Sequence, residues 1–131
     1  MNDNVSDLLI RIKNAYLARH KSVSAPYFSQ GEKIANVLLK EGYLAKIGAE
    51  KSKKGKNKIL NIDLAYKNKE PAITEIKIIS KAGLRVYLRS KKITKVLGGV
   101  GISLISTPEG VMTGEAAKKK NLGGEMICEI W

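Results

Sequence analysis

The sequence predicts an α+β fold, with a helix-rich N-terminal part and a strand-rich C-terminal part. Three observations carry this expectation. Apolar residues recur at helical spacing twice before Gly42, and the period changes to two around Leu60. Short β-branched segments punctuated by Gly, Pro and Asn then run to Trp131. At 131 residues the chain is close to one ordinary domain and long enough to bury a core.

Val5, Leu8, Leu9, Ile12, Ala15 and Tyr16 form the apolar stripe of a first helix. Asp3 or Asn4 stands where its first turn needs a cap, and Asp7, Arg11 and Asn14 fall on the opposite face. Residues 22–26, β-branched and closed by Pro26, read as a short extended piece. A second helix is expected from Ser29, which has capping-box spacing to Glu32. Its stripe is Ile34, Val37 and Leu38, and Gly42 sits where a left-handed residue ends a helix.

Leu60, Ile62, Leu64 and Tyr66 alternate with Asn61, Asp63 and Ala65, which predicts a strand with one buried face. Residues 43–49 are its expected partner, leaving 50–57 as a hairpin loop. The polar segment 67–71 is the best place for a boundary, giving subdomains of residues 1–66 and 67–131. Beyond it, strands are expected at 75–80, 85–88, 101–106, 110–113 and 125–131. Turns at 81–83, 107–110 and 122–124 separate them. A single helical stretch is expected at 115–120, with lysines in its last turn where the dipole favours cations.

Charge narrows the function. Lys and Arg number 24 against 12 Asp and Glu, a formal +12 and a pI near 9.8. Divided after Ala65, each half holds 12 basic and 6 acidic residues, so the excess is spread over the fold. One Cys and one His exclude a disulfide framework and a His/Cys chelate, so neither metal nor other cofactor is expected. The N-terminus shows no apolar leader core. Charges interrupt every apolar run short of the ~18 residues a membrane span needs. The expected partner is an anion, foremost nucleic acid.

Catalytic readings fail for want of partners, and no catalytic residue is expected. His20 is the only imidazole and stands in a basic segment, either a solvated loop residue or a phosphate contact. Cys128 alternates within the last apolar strand as a small core residue. Residues 98–101 read Gly-Gly-Val-Gly, but neither a dinucleotide frame nor a Gly-Lys-Ser/Thr follows. Glu109, Glu115, Glu125 and Glu129 show no spacing that selects a working carboxylate pair.

Anion binding has more support. Lys51, Lys53, Lys54, Lys56 and Lys58 crowd one hairpin without an acid, as a solvated loop or as phosphate contacts. Between Glu75 and Glu109 every charged residue is basic: Lys77, Lys81, Arg85, Arg89, Lys91, Lys92 and Lys95. Arg85, Tyr87 and Arg89 alternate with Val86 and Leu88. A strand here buries the aliphatic pair and presents Arg, Tyr and Arg outward. Guanidinium groups suit phosphates and a tyrosine ring stacks on an unpaired base; a plain sheet-edge tyrosine is the competing reading. Ser106 and Thr107 precede Pro108 on a turn, where their hydroxyls either cap the turn or meet RNA.

Several segments together resemble one family closely. They are residues 7–15, Asp-Leu-Leu-Ile-Arg-Ile-Lys-Asn-Ala, then 34–43, Ile-Ala-Asn-Val-Leu-Leu-Lys-Glu-Gly-Tyr, and 79–87, Ile-Ser-Lys-Ala-Gly-Leu-Arg-Val-Tyr. The closing stretch 96–113, with Glu115-Ala116 and residues 123–128, is the most specific. The chain is similar from end to end to the bacterial-type small-subunit ribosomal protein eight family.

That resemblance implies a primary binder of the central domain of small-subunit ribosomal RNA that helps to organise the platform. It implies two packed α+β subdomains, the C-terminal one supplying most of the contact to an irregular RNA helix. Ser106 and Thr107 match the family's hydroxyl turn, Tyr87 its aromatic contact, and Gly123, Gly124 and Glu125 its Gly-Gly-Glu segment. Arg85 and Lys81 flank that surface. Arg11 on the first helix and Lys53, Lys54 and Lys56 on the basic hairpin would add N-terminal contacts.

The implied partners are the RNA and neighbouring small-subunit proteins, the fifth and the twelfth. A chain that is monomeric when free is implied, with no membrane, on ribosomes of the cytoplasm or of an organelle encoding its own ribosomal proteins. Two positions depart from the family. Pro108 replaces the second serine of a Ser-Thr-Ser turn, and Asp3-Asn4 replaces an Asp-Pro, so no contact is carried over there. A basic architectural DNA-binding protein is the alternative in the binding class, and a carboxylate-based RNA hydrolase the alternative among enzymes.

Overall fold

A computed structural model of the chain describes residues 3–51 and 57–131, so the expected sites Lys53, Lys54 and Lys56 lie outside the described residues. Helix α1 spans Asn4–Leu17. Asp3 is its cap, Oδ1 accepting the Ser6 N–H at 3.1 Å and Oδ2 the Ser6 hydroxyl at 2.8 Å. Leu8, Leu9, Ile12, Ala15 and Tyr16 are buried as the stripe requires. Asp7 and Arg11 pair on the exposed face at 2.9 Å.

Strand β1 (Ser22–Pro26) is followed by helix α2 (Ser29–Lys40). The expected capping box does not form, because Ser29 is already inside the helix and Phe28, in extended backbone, is the cap residue. Glu32 instead accepts the Tyr27 hydroxyl at 3.1 Å. The far end closes as read. Gly42 takes φ +85 and donates to Leu39 O, and Tyr43 N–H reaches Leu38 O, the paired bonds of a Schellman motif.

Strands β2 (Leu44–Lys51) and β3 (Lys58–Leu64) pair antiparallel, with β1 on the other side of β3, in the order β1-β3-β2. Glu50 and Lys51, expected in the loop, pair with Ile59 and Lys58 and so belong to the strands. Leu60, Ile62 and Leu64 are buried and Asp63 is exposed, the alternation a half-buried strand needs.

Tyr66–Lys67 (β4) and Glu70–Pro71 (β5) then form a tight hairpin. Asn68 and Lys69 at its tip both take positive φ, the I′ geometry that matches strand twist.

The chain divides into two compact units, one of residues Asp7–Thr74 and the other of Glu75–Trp131 with the described residues before Asp7. The break falls after Thr74, not at the 66/67 boundary expected from composition. The polar segment 67–71 is a hairpin tied back by the Ala72 N–H to Ala65 O bond.

The second unit holds β6 (Ile76–Ile78), β7 (Tyr87–Leu88), β8 (Ile102–Thr107), β9 (Gly110–Thr113), helix α3 (Gly114–Lys119) and β10 (Gly124–Ile130). The expected strand at 85–88 is shorter than read, covering Tyr87 and Leu88 only. β10 lies inside the sheet, in the order β6-β10-β8-β9, and β7 pairs with β10 as well.

Beneath the sheet Ile93, Ile105, Ala117 and Met126 form a buried cluster, with Ile79, Val86, Leu88 and Met112 packed against it. The Thr113 hydroxyl caps α3 by accepting Ala116 N–H at 3.2 Å. Asn121, at φ +59, supplies the left-handed residue after its end. Cys128 is fully buried within β10, and burial raises its thiol far above the ordinary range, as suits a core residue.

Candidate nucleic-acid interface

Strand pairing assembles the site from distant segments. Glu125 on β10 stands opposite Tyr87 on β7 and opposite Ser106 on β8. Residues directly opposite in antiparallel strands project to the same face, so Tyr87, Glu125 and Ser106 form one row. The adjacent row, Met126, Ile105 and Met112, turns inward to the core cluster. One face of this sheet therefore packs and the other presents a phenol, a carboxylate and a hydroxyl.

Tyr87 is 70% exposed, a large amount for an aromatic ring on a folded sheet. Val86 and Leu88 pack inward while Arg85 and Arg89 remain exposed, the alternation expected from the sequence. A ring so exposed at a strand position has most of its surface available to a partner.

Arg85 differs from the expected free phosphate ligand. Its Nη1 lies 3.5 Å from Glu125 Oε2 and 3.5 Å from Asp3 Oδ2. The guanidinium is thus shared between two carboxylates, whose side chains are only 24% and 14% exposed. Burial opposes ionisation of Asp3, but the Ser6 amide and hydroxyl, the Arg85 charge and the Ala82 amide outweigh it. Its carboxyl stays below the ordinary value.

The capping role of Asp3 is legible in the sequence, but its pairing with Arg85, so distant in the chain, leaves no local signal.

Ser106 and Thr107, read together, are separated by the pleat. Successive strand residues point to opposite faces, so Ser106 joins the outward row and Thr107 turns inward. Thr107 is 8% exposed, and its hydroxyl donates to Gly110 O at 2.8 Å while accepting Glu109 N–H at 3.1 Å. Among the described residues the Ser106 hydroxyl has no such bond, and it is half-buried on the open face.

Gly123 and Gly124 serve close packing. A Cβ on Gly124 would stand 2.1 Å from Ser106 O, and one on Gly123 2.5 Å from Leu88 O. Only hydrogen at these positions lets β10 lie between β7 and β8, which sets the spacing of the row.

Lys81 is exposed on a turn closed by reciprocal backbone bonds with Leu84, with Gly83 at φ +82. Arg11 is exposed in the other unit, engaged by Asp7 and reaching Ser24 O at 3.4 Å. His20 is exposed. Among the described residues no group of three or more His, Cys, Asp or Glu is placed to hold a metal ion, and no helix is long and apolar enough to cross a membrane.

A basic α+β chain whose second unit exposes a tyrosine, a carboxylate and a hydroxyl in one row has the chemistry of an RNA-binding protein. Comparison with known proteins gives the family. The family model described as Ribosomal protein S8 matches residues 3–131.

The chain is 48% identical over 132 residues to the small ribosomal subunit protein uS8 of Caldanaerobacter subterraneus subsp. tengcongensis, covering all of this chain and 98% of the relative. It is 43% identical over 130 residues to uS8 of Trichormus variabilis, covering 99% of this chain and 98% of that one. It is 47% identical over 133 residues to the protein uS8c of Rhodomonas salina, covering all of this chain and 99% of the relative. The chain belongs to the ribosomal protein S8 (uS8) family.

Proposed function

We propose that this protein is a non-catalytic constituent of the small ribosomal subunit that binds ribosomal RNA in the central domain and helps to assemble the platform. Family membership supports the ribosomal role. The observation that carries the site is the row Tyr87–Glu125–Ser106, outward-facing on a sheet whose other side is core.

Each member has a distinct task. Tyr87 stacks on a base that is not paired. Ser106 donates or accepts at a base edge or a 2′-OH. Glu125 repels phosphate and so accepts from amino and 2′-OH donors of the RNA. Gly123, Gly124 and Thr107 hold the row in shape, and Arg89, Lys81 and Arg11 supply general attraction to the backbone. Lys53, Lys54 and Lys56 are proposed to do the same. The second unit carries the main surface, its neighbours on the subunit are the fifth and twelfth proteins, and the free chain is a monomer that assembles in the cytoplasm.

The test is a titration with a transcript of the central domain of small-subunit ribosomal RNA, set against a fully paired RNA duplex and a DNA duplex. The parent should favour the transcript over both. Tyr87→Leu should lose about 1–3 kcal/mol on the transcript alone, the scale of one base–aromatic stack. Equal affinity for all three nucleic acids would return the protein to the class of basic architectural binders.

A further inference from the structure

Arg85 is a charged neighbour of the row, yet it is engaged by two carboxylates. One guanidinium nitrogen lies 3.5 Å from Glu125, a member of the row, and 3.5 Å from Asp3, which also caps α1. Asp3 is fixed in turn by two bonds from Ser6, one from the backbone and one from the hydroxyl. The chain of contacts therefore runs from the first turn of α1 through Asp3 and Arg85 to the Glu125 carboxylate. A guanidinium nitrogen shared between two carboxylates is a poorer phosphate ligand than a free one, because reaching a phosphate would loosen both pairs, and the carboxylates themselves are only 24% and 14% exposed.

We propose that Asp3 is a positioning residue for RNA recognition: it draws Arg85 back from the RNA and, through Arg85, fixes the Glu125 carboxylate between Tyr87 and Ser106. This rests on the proposed RNA-binding role of the row. Electrostatics make the idea specific. Asp3, Arg85 and Glu125 sum to one negative charge, so the centre of the face disfavours phosphate and the approach of a regular duplex. Without Asp3 the guanidinium is freed toward solvent, Glu125 loses its fixed orientation, and indiscriminate phosphate binding becomes easier. Asp3 thereby contributes selectivity more than raw affinity.

The variant Asp3→Asn tests this, since Asn caps a helix about as well as Asp; it removes the charge and one of the two acceptor oxygens, the one that faces Arg85 and the Ser6 hydroxyl. Folded Asp3→Asn should bind the central-domain transcript about fivefold more weakly, while binding the paired RNA duplex as well as the parent or better. Arg85→Gln should weaken transcript binding likewise, but without any gain on the duplex, because no guanidinium is freed and two carboxylates remain. The double variant should be no worse than Arg85→Gln alone, because Asp3 acts through Arg85.

Three results would overturn the proposal: an unchanged transcript-to-duplex ratio in Asp3→Asn, an equal loss on both RNAs, or losses that simply add in the double variant. Tyr87→Leu serves as the control for the underlying reading. If it binds the transcript as the parent does, the row is not the interface. If it fails while Asp3→Asn is silent, the interface stands and only the positioning role falls.

Discussion

The Thr107 hydroxyl donates to the Gly110 carbonyl at 2.8 Å, closing the turn that carries Pro108 and Glu109. The same oxygen accepts Glu109 N–H at 3.1 Å, so the group is engaged as donor and as acceptor. Thr107→Val keeps the shape and removes both bonds, and should cost about 1–2 kcal/mol of stability by leaving two backbone groups short of partners. Thr107→Ser should restore most of it. Ser106→Ala should do the reverse, leaving the denaturation midpoint unchanged and weakening transcript binding by about 1 kcal/mol. Denaturant melts beside RNA titrations of the three variants check the split. Transcript binding that falls in folded Thr107→Val as far as in Ser106→Ala would mean that the inward hydroxyl reaches RNA.

Gly124 and Gly48 both lie in strands, but their surroundings differ. A Cβ at Gly124 meets Ser106 O at 2.1 Å, a backbone atom of a paired strand that cannot move alone. Gly124→Ala should cost roughly 3 kcal/mol and disturb the row with it. At Gly48 no heavy atom lies within 4 Å of a Cβ. Gly48→Ala should therefore be neutral or stabilise by about 0.5 kcal/mol through the loss of unfolded-state freedom. Thermal melts of the two single variants settle both signs.

Much of this architecture is legible in the residues. The α1 stripe, the Gly42 end of α2 and the alternation of Leu60, Ile62 and Leu64 are local periodicities, and local periodicity survives in any tertiary context. The outward Arg85, Tyr87 and Arg89 follow from the same rule. What spacing cannot supply is partnership. Ser29 and Glu32 have capping-box spacing, yet the chain enters the helix one residue earlier, at Phe28, and Glu32 turns to Tyr27. Ser106 and Thr107 look equivalent until strand pairing assigns them opposite faces. The Asp3–Arg85 pair is invisible because no local pattern links a helix cap to a turn more than half the chain away.

Asp3 also makes a prediction about pH. Its carboxyl lies below its ordinary value of 3.8 in the folded state. A depressed carboxylate contributes stability that is fully present above the unfolded-state pKa and is lost as pH falls through the folded one. At neutral pH Asp3→Asn should accordingly be less stable than the parent. The gap should begin to close as pH falls below about 4 and should vanish once both forms are neutral at this position. Urea melts at a series of pH values measure it directly. A stability difference that stays constant across the acid range would show that ionisation of Asp3 contributes nothing to folding.

Lysine and hydroxyl substitutions should separate general attraction from recognition. Each phosphate neutralised by a cation releases counterions, so log K against log salt steepens by about 0.7–0.9 per contact. Lys53, Lys54 and Lys56 carry charge, and an ammonium attracts phosphate as a point charge whatever the sequence, so replacing them with Gln should weaken transcript and duplex alike. The slope should flatten by up to about 2–2.7 if all three meet phosphates. Ser106 carries no charge, so Ser106→Ala should leave the slope where it was and lower the whole line for the transcript only. Titrations at four or five salt concentrations with both RNAs distinguish the two behaviours. An unchanged slope in the triple-lysine variant would make that hairpin a solvated loop. The positive surface used by the RNA would then have to be found among Arg89, Lys81 and Arg11, whose replacement by Gln should flatten the slope instead.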